Sequence, residues 1–268
     1  ELNYIPVNKK NFTWKINLNL THYKNKITYL PDEKKTTVMD GHGGYMNGSR
    51  YYGEDLPINT WYMKRFAGLS EDGLSLWYYT DKETNEEKTT TTYSTGDFYL
   101  CGDPNPDLYG GFGTSITFHG FDLSTQFSYL VGGLTYDYGY AGMMGNPTAT
   151  SVGNRWHKDV LKAWSPENPS STIPRWHFND LNTTGSSDRF LIDGSYLNLQ
   201  NIQVGYTLPD SWTSHLKIKN LRLYFVCDNV YYWSKRKGLD PRRSISGVGT
   251  SGKIAPFRTY SGGISLQF

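Results

Sequence analysis

In Phe12-Thr-Trp-Lys-Ile-Asn-Leu-Asn-Leu20 every even position is apolar, while Thr13, Lys15, Asn17 and Asn19 fill the odd ones. Successive side chains of a β-strand point to opposite faces, so this alternation predicts a strand with one greasy and one polar face. The same period recurs outward from this stretch. Phe112, Ile116 and Phe118 alternate with Gly113, Ser115 and Thr117, and Phe121, Leu123, Phe127, Tyr129 and Val131 with Asp122, Ser124, Gln126 and Ser128. Leu221, Leu223 and Phe225 stand opposite Arg222, Tyr224 and Asp228. The closing run, Arg258-Thr-Tyr-Ser-Gly-Gly-Ile-Ser-Leu-Gln-Phe268, sets Tyr260, Ile264, Leu266 and Phe268 against Thr259, Ser261, Ser265 and Gln267. Segments 60–69, 74–80 and 196–207 are weaker candidates. The last changes phase, because Leu197 and Leu199 are odd whereas Ile202, Val204 and Tyr206 are even; a bulge near Gln200-Asn201 would restore the face.

About eight strands follow, all antiparallel, and their connections alternate in length. Segments of about 22–59, 81–110, 132–195 and 230–257 are long, whereas about 70–73, 119–121 and 208–217 are short. Outer-membrane barrels have this asymmetry, with short periplasmic turns and long extracellular loops. If Phe268 ends on the periplasmic side, every long segment is extracellular. The expectation is an all-β chain forming a transmembrane antiparallel barrel. A soluble sandwich also alternates, but long loops at one end only are uncommon in compact domains.

Composition agrees. Aromatic residues make up 16% of the chain, with 22 Tyr and 8 Trp, yet the mean hydropathy is −0.60. Only alternate residues of a barrel strand must be apolar, so a polar average is compatible with membrane insertion. No run approaches the roughly 18 apolar residues of a membrane-spanning helix. A net charge of +2 without a basic face argues against nucleic-acid binding. The chain opens at Glu1 with no leader-like segment, which reads as a processed or internal start. Cys101 and Cys227 have no CxxC or Cys/His neighbours, so two unpaired thiols are expected, with a disulfide as the alternative.

Further stretches carry a resemblance: Tyr23-Lys-Asn-Lys-Ile27, Leu56-Pro-Ile58, Phe66-Ala-Gly68 and Gly102-Asp-Pro-Asn-Pro-Asp-Leu-Tyr-Gly-Gly-Phe112. They continue with His157-Lys-Asp-Val-Leu161, Trp164-Ser-Pro-Glu-Asn-Pro169 and Phe190-Leu-Ile-Asp-Gly-Ser-Tyr-Leu-Asn-Leu-Gln-Asn201. Val204-Gly-Tyr-Thr-Leu-Pro209, Asp228-Asn-Val230, Gly238-Leu-Asp-Pro241 and the Phe268 terminus complete the series. In this order they resemble the C-terminal part of SusC/RagA-type TonB-dependent transporters, outer-membrane nutrient importers of Bacteroidetes. The resemblance implies a segment of a larger, roughly 22-stranded plugged barrel. It also implies oligosaccharide or oligopeptide cargo, a SusD-like surface lipoprotein as lid, outer-membrane lipid around the wall, and a TonB complex acting through a plug. The plug domain is absent from residues 1–268, so the chain is expected to supply the last part of the wall, completed by the rest of its own barrel. A stand-alone eight-stranded adhesin or structural barrel and a soluble carbohydrate-binding sandwich are the alternatives. Small residues on the polar face, such as Gly113, Ser115, Ser124 and Ser261, would fill an eight-stranded interior poorly and suit a wide lumen.

No catalytic, metal or cofactor site is expected. The six histidines are scattered, and Gly-x-Ser-x-Gly, His-Glu-x-x-His and phosphate-cradling loops are missing. Asp103, Asn105 and Asp107 alternate as in part of a calcium loop, but the intervening prolines point to turn chemistry. Candidate substrate or lipoprotein contacts are Trp156, Trp164 and Trp176, whose rings could instead pack the loops, together with Arg242 and Arg243, which could pair with Asp240. Tyr231, Tyr232 and Trp233 are candidate membrane-interface aromatics. Tyr260, Ile264, Leu266 and Phe268 mark the barrel-assembly strand.

Overall fold

Seven strands pair side by side in chain order to form an antiparallel wall: β1 (Leu2–Lys9), β2 (Phe12–Thr21), β3 (Leu108–Phe118), β4 (Phe121–Val131), β5 (Tyr196–Thr207), β6 (Asn220–Ser234) and β7 (Thr259–Gln267). This computed structural model describes the chain except residues 149–154, 181, 183–184, 244–245 and 249–255 and the side chains of Leu216 and Arg243. Register carries the alternation read in single strands across the whole sheet. Phe12 lies opposite Phe118, Phe118 opposite Phe121, Phe121 opposite Tyr206, Tyr206 opposite Leu223 and Leu223 opposite Ile264. The neighbouring row on the other face runs Lys15, Ser115, Ser124, Gln203, Val226 and Ser261. A one-residue slip anywhere would mix the two faces.

Two bulges keep that register. Gln200 has no partner on β4, and across β6 it faces the two residues Asn229 and Val230, so the phase change in 196–207 is absorbed where it was expected. Asn229 takes a left-handed backbone, φ 51°. At the other edge, β1 breaks step at Ile5 and Pro6. That break hides β1 from a period-two reading, which left it out of the wall.

The apolar face is bare. Phe118, Phe121, Phe225, Ile264 and Leu266 are all exposed, and of the wall's outward residues only Cys227 is buried. The hydrophobic core lies elsewhere, in the long connections, where Trp61, Met63, Tyr136, Met144 and Phe190 pack together. A sheet that leaves its greasy face open and keeps its core outside itself is built for a hydrocarbon surrounding.

The sequence reading put 60–69 and 74–80 in the wall. They are strands, but they pair away from it, and segments 22–59 and 81–110 therefore merge into one connection, 22–107. It holds a five-stranded sheet ordered 98–100, 60–64, 50–53, 42–47 and 37–39, and a three-stranded sheet of 66–69, 75–80 and 87–90. Thr60–Lys64 is buried at all five positions, a pattern of a strand covered on both sides rather than of a membrane wall. The next connection, 132–195, contributes the paired strands Leu134–Tyr136 and Leu191–Asp193 and helix α1 (Tyr138–Met144), whose N-cap Asp137 accepts from the Tyr140 amide. The third, 235–258, starts later than expected because β6 continues to Ser234. All three leave the same end of the wall, and the turns at 10–11, 119–120 and 208–219 leave the other.

Candidate functional site

The polar face of the wall is a ladder of amides and hydroxyls with few bulky groups. Asn19 accepts from the Gly111 amide (2.9 Å), the Asn198 amide donates to Ser128 (3.3 Å), and the Asn201 amide donates to Asp228 (2.6 Å). Near the short turns Arg222 grips Asp122 through both carboxylate oxygens, at 2.9 and 2.6 Å. Gly263 leaves room for the Tyr224 ring, which would sit 2.3 Å from a Cβ there. Such a surface is rich in hydrogen-bonding groups and poor in bulky ones.

Above it the three long connections lock into one body. Trp61 donates from Nε1 to the Leu134 carbonyl (3.1 Å), and its ring lies 3.1 Å beneath the Arg50 guanidinium. Arg50 donates to the carbonyls of Asn59 (2.5 Å) and Ser246. The Tyr136 amide donates to Gly247 (2.8 Å), which requires a left-handed backbone (φ 70°) and whose Cβ would fall 2.4 Å from the Leu134 carbonyl oxygen. Cys101 and Cys227 are both free thiols, as expected. Burial pushes the Cys101 thiol up to about 12, which leaves it unreactive at neutral pH.

Arg242 joins the third connection to the wall. It forks onto Asp240 at 2.8 and 2.7 Å, donates to Asn198 (2.7 Å) and Asn229 (2.8 Å), and stacks 4.3 Å from the Tyr232 ring. Its donors are thus turned onto its own chain, and the β6 bulge is what brings Asn229 within reach. The Arg243 side chain lies outside the described residues. Arg242→Ala removes the two-toothed grip on the buried Asp240 carboxylate together with the bonds to Asn198 and Asn229, and should loosen this junction by about 2 kcal/mol. Hydrogen exchange should then quicken at 235–240 and stay unchanged at 12–21.

The cluster 231–233 is divided by its own alternation. Tyr231 and Trp233 stand on the apolar face opposite Leu199 and Leu197, their rings 4.9 Å apart, and both are about half exposed. Tyr232 lies on the polar face, opposite Asn198 and beside Arg242. Tyr260, Ile264 and Leu266 lie on the apolar face opposite Cys227, Leu223 and Leu221, with Phe268 one residue beyond the strand.

The three tryptophans of 132–195 do not meet as a set. Trp156 and Trp176 contact edge to face at 5.4 Å, and Trp176 Nε1 reaches the Gly145 carbonyl at 3.4 Å. Trp164 instead covers Gly73 of the first connection, whose carbonyl accepts from the Arg175 amide (2.9 Å). Asp103 accepts from the backbone and side-chain amides of Asn105, at 2.8 and 2.5 Å, the turn chemistry expected there.

Sequence reasoning missed the groups around 62–99. Lys64 is buried, and its ammonium donates to the carbonyls of Tyr93 (2.6 Å), Ser94 (3.0 Å) and Gly96 (2.6 Å); desolvation lowers its pKa. Arg65 pairs with Glu87 and lies 4.1 Å over Tyr78, and Tyr99 donates to Asp188 at 2.5 Å. The available signal was Thr60-Trp-Tyr-Met-Lys64, a strand candidate whose apolar residues do not alternate.

No protein-family model matches the chain. It is 28% identical over its full length to TonB-dependent receptor P3 of Formosa agariphila, covering 28% of that protein. It is 26% identical, again over its full length, to the TonB-dependent receptor SusC of Bacteroides thetaiotaomicron, covering 26% of it. The chain therefore spans little more than a quarter of the relatives it matches. Among solved structures, the RagAB peptide transporter superposes on 99% of the chain with a TM-score of 0.80 at 23% identity, the chain covering 28% of its counterpart. That likeness concerns the fold.

Proposed function

This chain resembles the SusC/RagA-type TonB-dependent receptors of the outer membrane along its whole length, and on that footing we propose that it forms wall and outer loops of a nutrient importer. The apolar face of β1 to β7 meets lipid, the polar face lines the lumen, and the three long connections stand outside the cell. A plug and the rest of the barrel complete the channel, the TonB complex drives it, and a SusD-like lipoprotein seats on the outer loops. Cargo is an oligosaccharide or oligopeptide, and the role involves no enzymatic step.

The observation that supports this best is the coincidence of an exposed apolar wall face with a buried core confined to the connections on one end. Loops with a core of their own offer a rigid outer platform, which a wall-only adhesin or a soluble sandwich does not need. In cells expressing the intact protein, uptake of labelled oligosaccharides or oligopeptides should fall to background when its gene is deleted or the proton gradient is collapsed. Uptake unaffected by both treatments refutes the importer reading.

A further inference from the structure

β6 runs on past its last contact with β7: Asp228 faces Thr259, and the residues from 229 to Ser234 pair on the β5 side only. The edge left open borders a notch of about 490 Å3, lined by Tyr231, Trp233, Lys237, Pro256 and Arg258 among others. We propose that this notch binds an anionic lipid of the outer leaflet, its phosphate held by Lys237 and Arg258 and an acyl chain laid against Tyr231 and Trp233. The inference rests on the importer reading in placing the apolar face against lipid and the long connections outside.

The β6 bulge shapes the notch. Asn229 donates from its side-chain amide to the carbonyls of Pro256 (2.7 Å) and Phe257 (3.3 Å), while its oxygen accepts from Arg242 (2.8 Å). The entry to β7 is thereby pinned beside β6. Arg258 follows directly, and its guanidinium donates to the Tyr260 hydroxyl (3.5 Å) on the apolar face. Charge then selects the ligand. Lys237 and Arg258 are both exposed, and no carboxylate lines the notch among the described residues. The carboxylates nearest in sequence, Asp228 and Asp240, are held by Asn201 and Arg242. Two cations without a counter-charge suit a phosphate, which a guanidinium can grip through two oxygens. Position selects a lipid over a free anion. Tyr231 and Trp233 are about half exposed on the apolar face, at the end of the wall where the long connections begin, the level at which amphipathic rings and basic side chains meet headgroups.

The test uses the intact transporter, stripped of lipid in a neutral detergent and titrated with monophosphorylated lipid A, the same lipid without its phosphate, and inorganic phosphate. The phosphorylated lipid should bind about tenfold more tightly than its dephosphorylated form, and Lys237→Gln and Arg258→Gln should each weaken it about fivefold. Lys15→Gln, which removes a cation from the polar face, should leave binding unchanged. All three variants should keep wild-type gel mobility before heating. Equal binding of the two lipids overturns the proposal, as does binding that neither notch variant weakens. Displacement of the lipid by equimolar inorganic phosphate overturns it too, because the chain would then contribute nothing. Energised uptake at the wild-type level beside any of these failures removes the lipid site alone and leaves the importer reading standing.

Discussion

Phe112→Lys should abolish most assembly of the protein in the outer membrane, while Ser124→Lys, one strand away on the opposite face, should assemble normally. Phe112 lies near the middle of β3, stacked on Phe127 at 4.7 Å with the rings 8° from parallel, in the outward row of Leu18, Phe127 and Leu199. A lysine there faces hydrocarbon near the midplane, where its charge costs about 2–4 kcal/mol. Ser124 belongs to the polar row of Lys15, Ser115 and Gln203, which the importer reading turns to the lumen. The check is the fraction of protein with heat-modifiable gel mobility, followed by urea unfolding from lipid vesicles. Equal loss in the two variants would mean that the faces are assigned wrongly.

Trp61→Ala should unlock the outer loops and leave the wall standing. The Trp61 side chain is fully buried in the core formed by the first two connections, donates to Leu134 and carries the Arg50 guanidinium on its ring. Truncation opens a cavity, orphans the Leu134 carbonyl and strips Arg50 of its aromatic partner, a loss of about 3–5 kcal/mol from the loop body. No wall strand pairs with 60–64, so the barrel should keep its heat-modifiable mobility. Protease added to intact cells should then cut within 22–107 and 132–195, where the wild type resists. Protection equal to wild type would show that the loops do not depend on this core.

Much of the wall was legible because a two-residue period is a local property. Phe12 to Leu20 and Tyr260 to Phe268 each declare their two faces without reference to a partner. The Gln200 bulge was legible for the same reason, since a phase change within one apolar series has few other resolutions. β1 escaped because Ile5 and Pro6 interrupt its period within eight residues. Residues 60–69 and 74–80 were read as wall since a short apolar strand looks alike in a membrane and in a loop core. Burial and pairing separate the two: Thr60–Lys64 is buried at every position, with Trp61 under Arg50, and 75–80 pairs with 66–69 and 87–90 rather than with the wall.

The candidate contacts were less legible. Trp156, Trp164 and Trp176 read alike in sequence, yet Trp156 and Trp176 meet each other whereas Trp164 covers a glycine from another connection. Lys64 gave no sign that three backbone carbonyls would surround it, since that cage comes from a segment some thirty residues away.

By itself, then, the sequence determined that this chain is rich in strands with one apolar and one polar surface, and that its long segments share one end. Alternation and connection length are written in neighbouring residues and survive any arrangement of the rest. Tertiary structure alone decided which strands belong to the wall, that the long segments fold into a single body with its own core, and where Arg242 and Tyr232 stand. Those outcomes depend on contacts between residues far apart in the chain, such as Arg50 with Ser246 or Trp61 with Leu134, for which no local pattern exists.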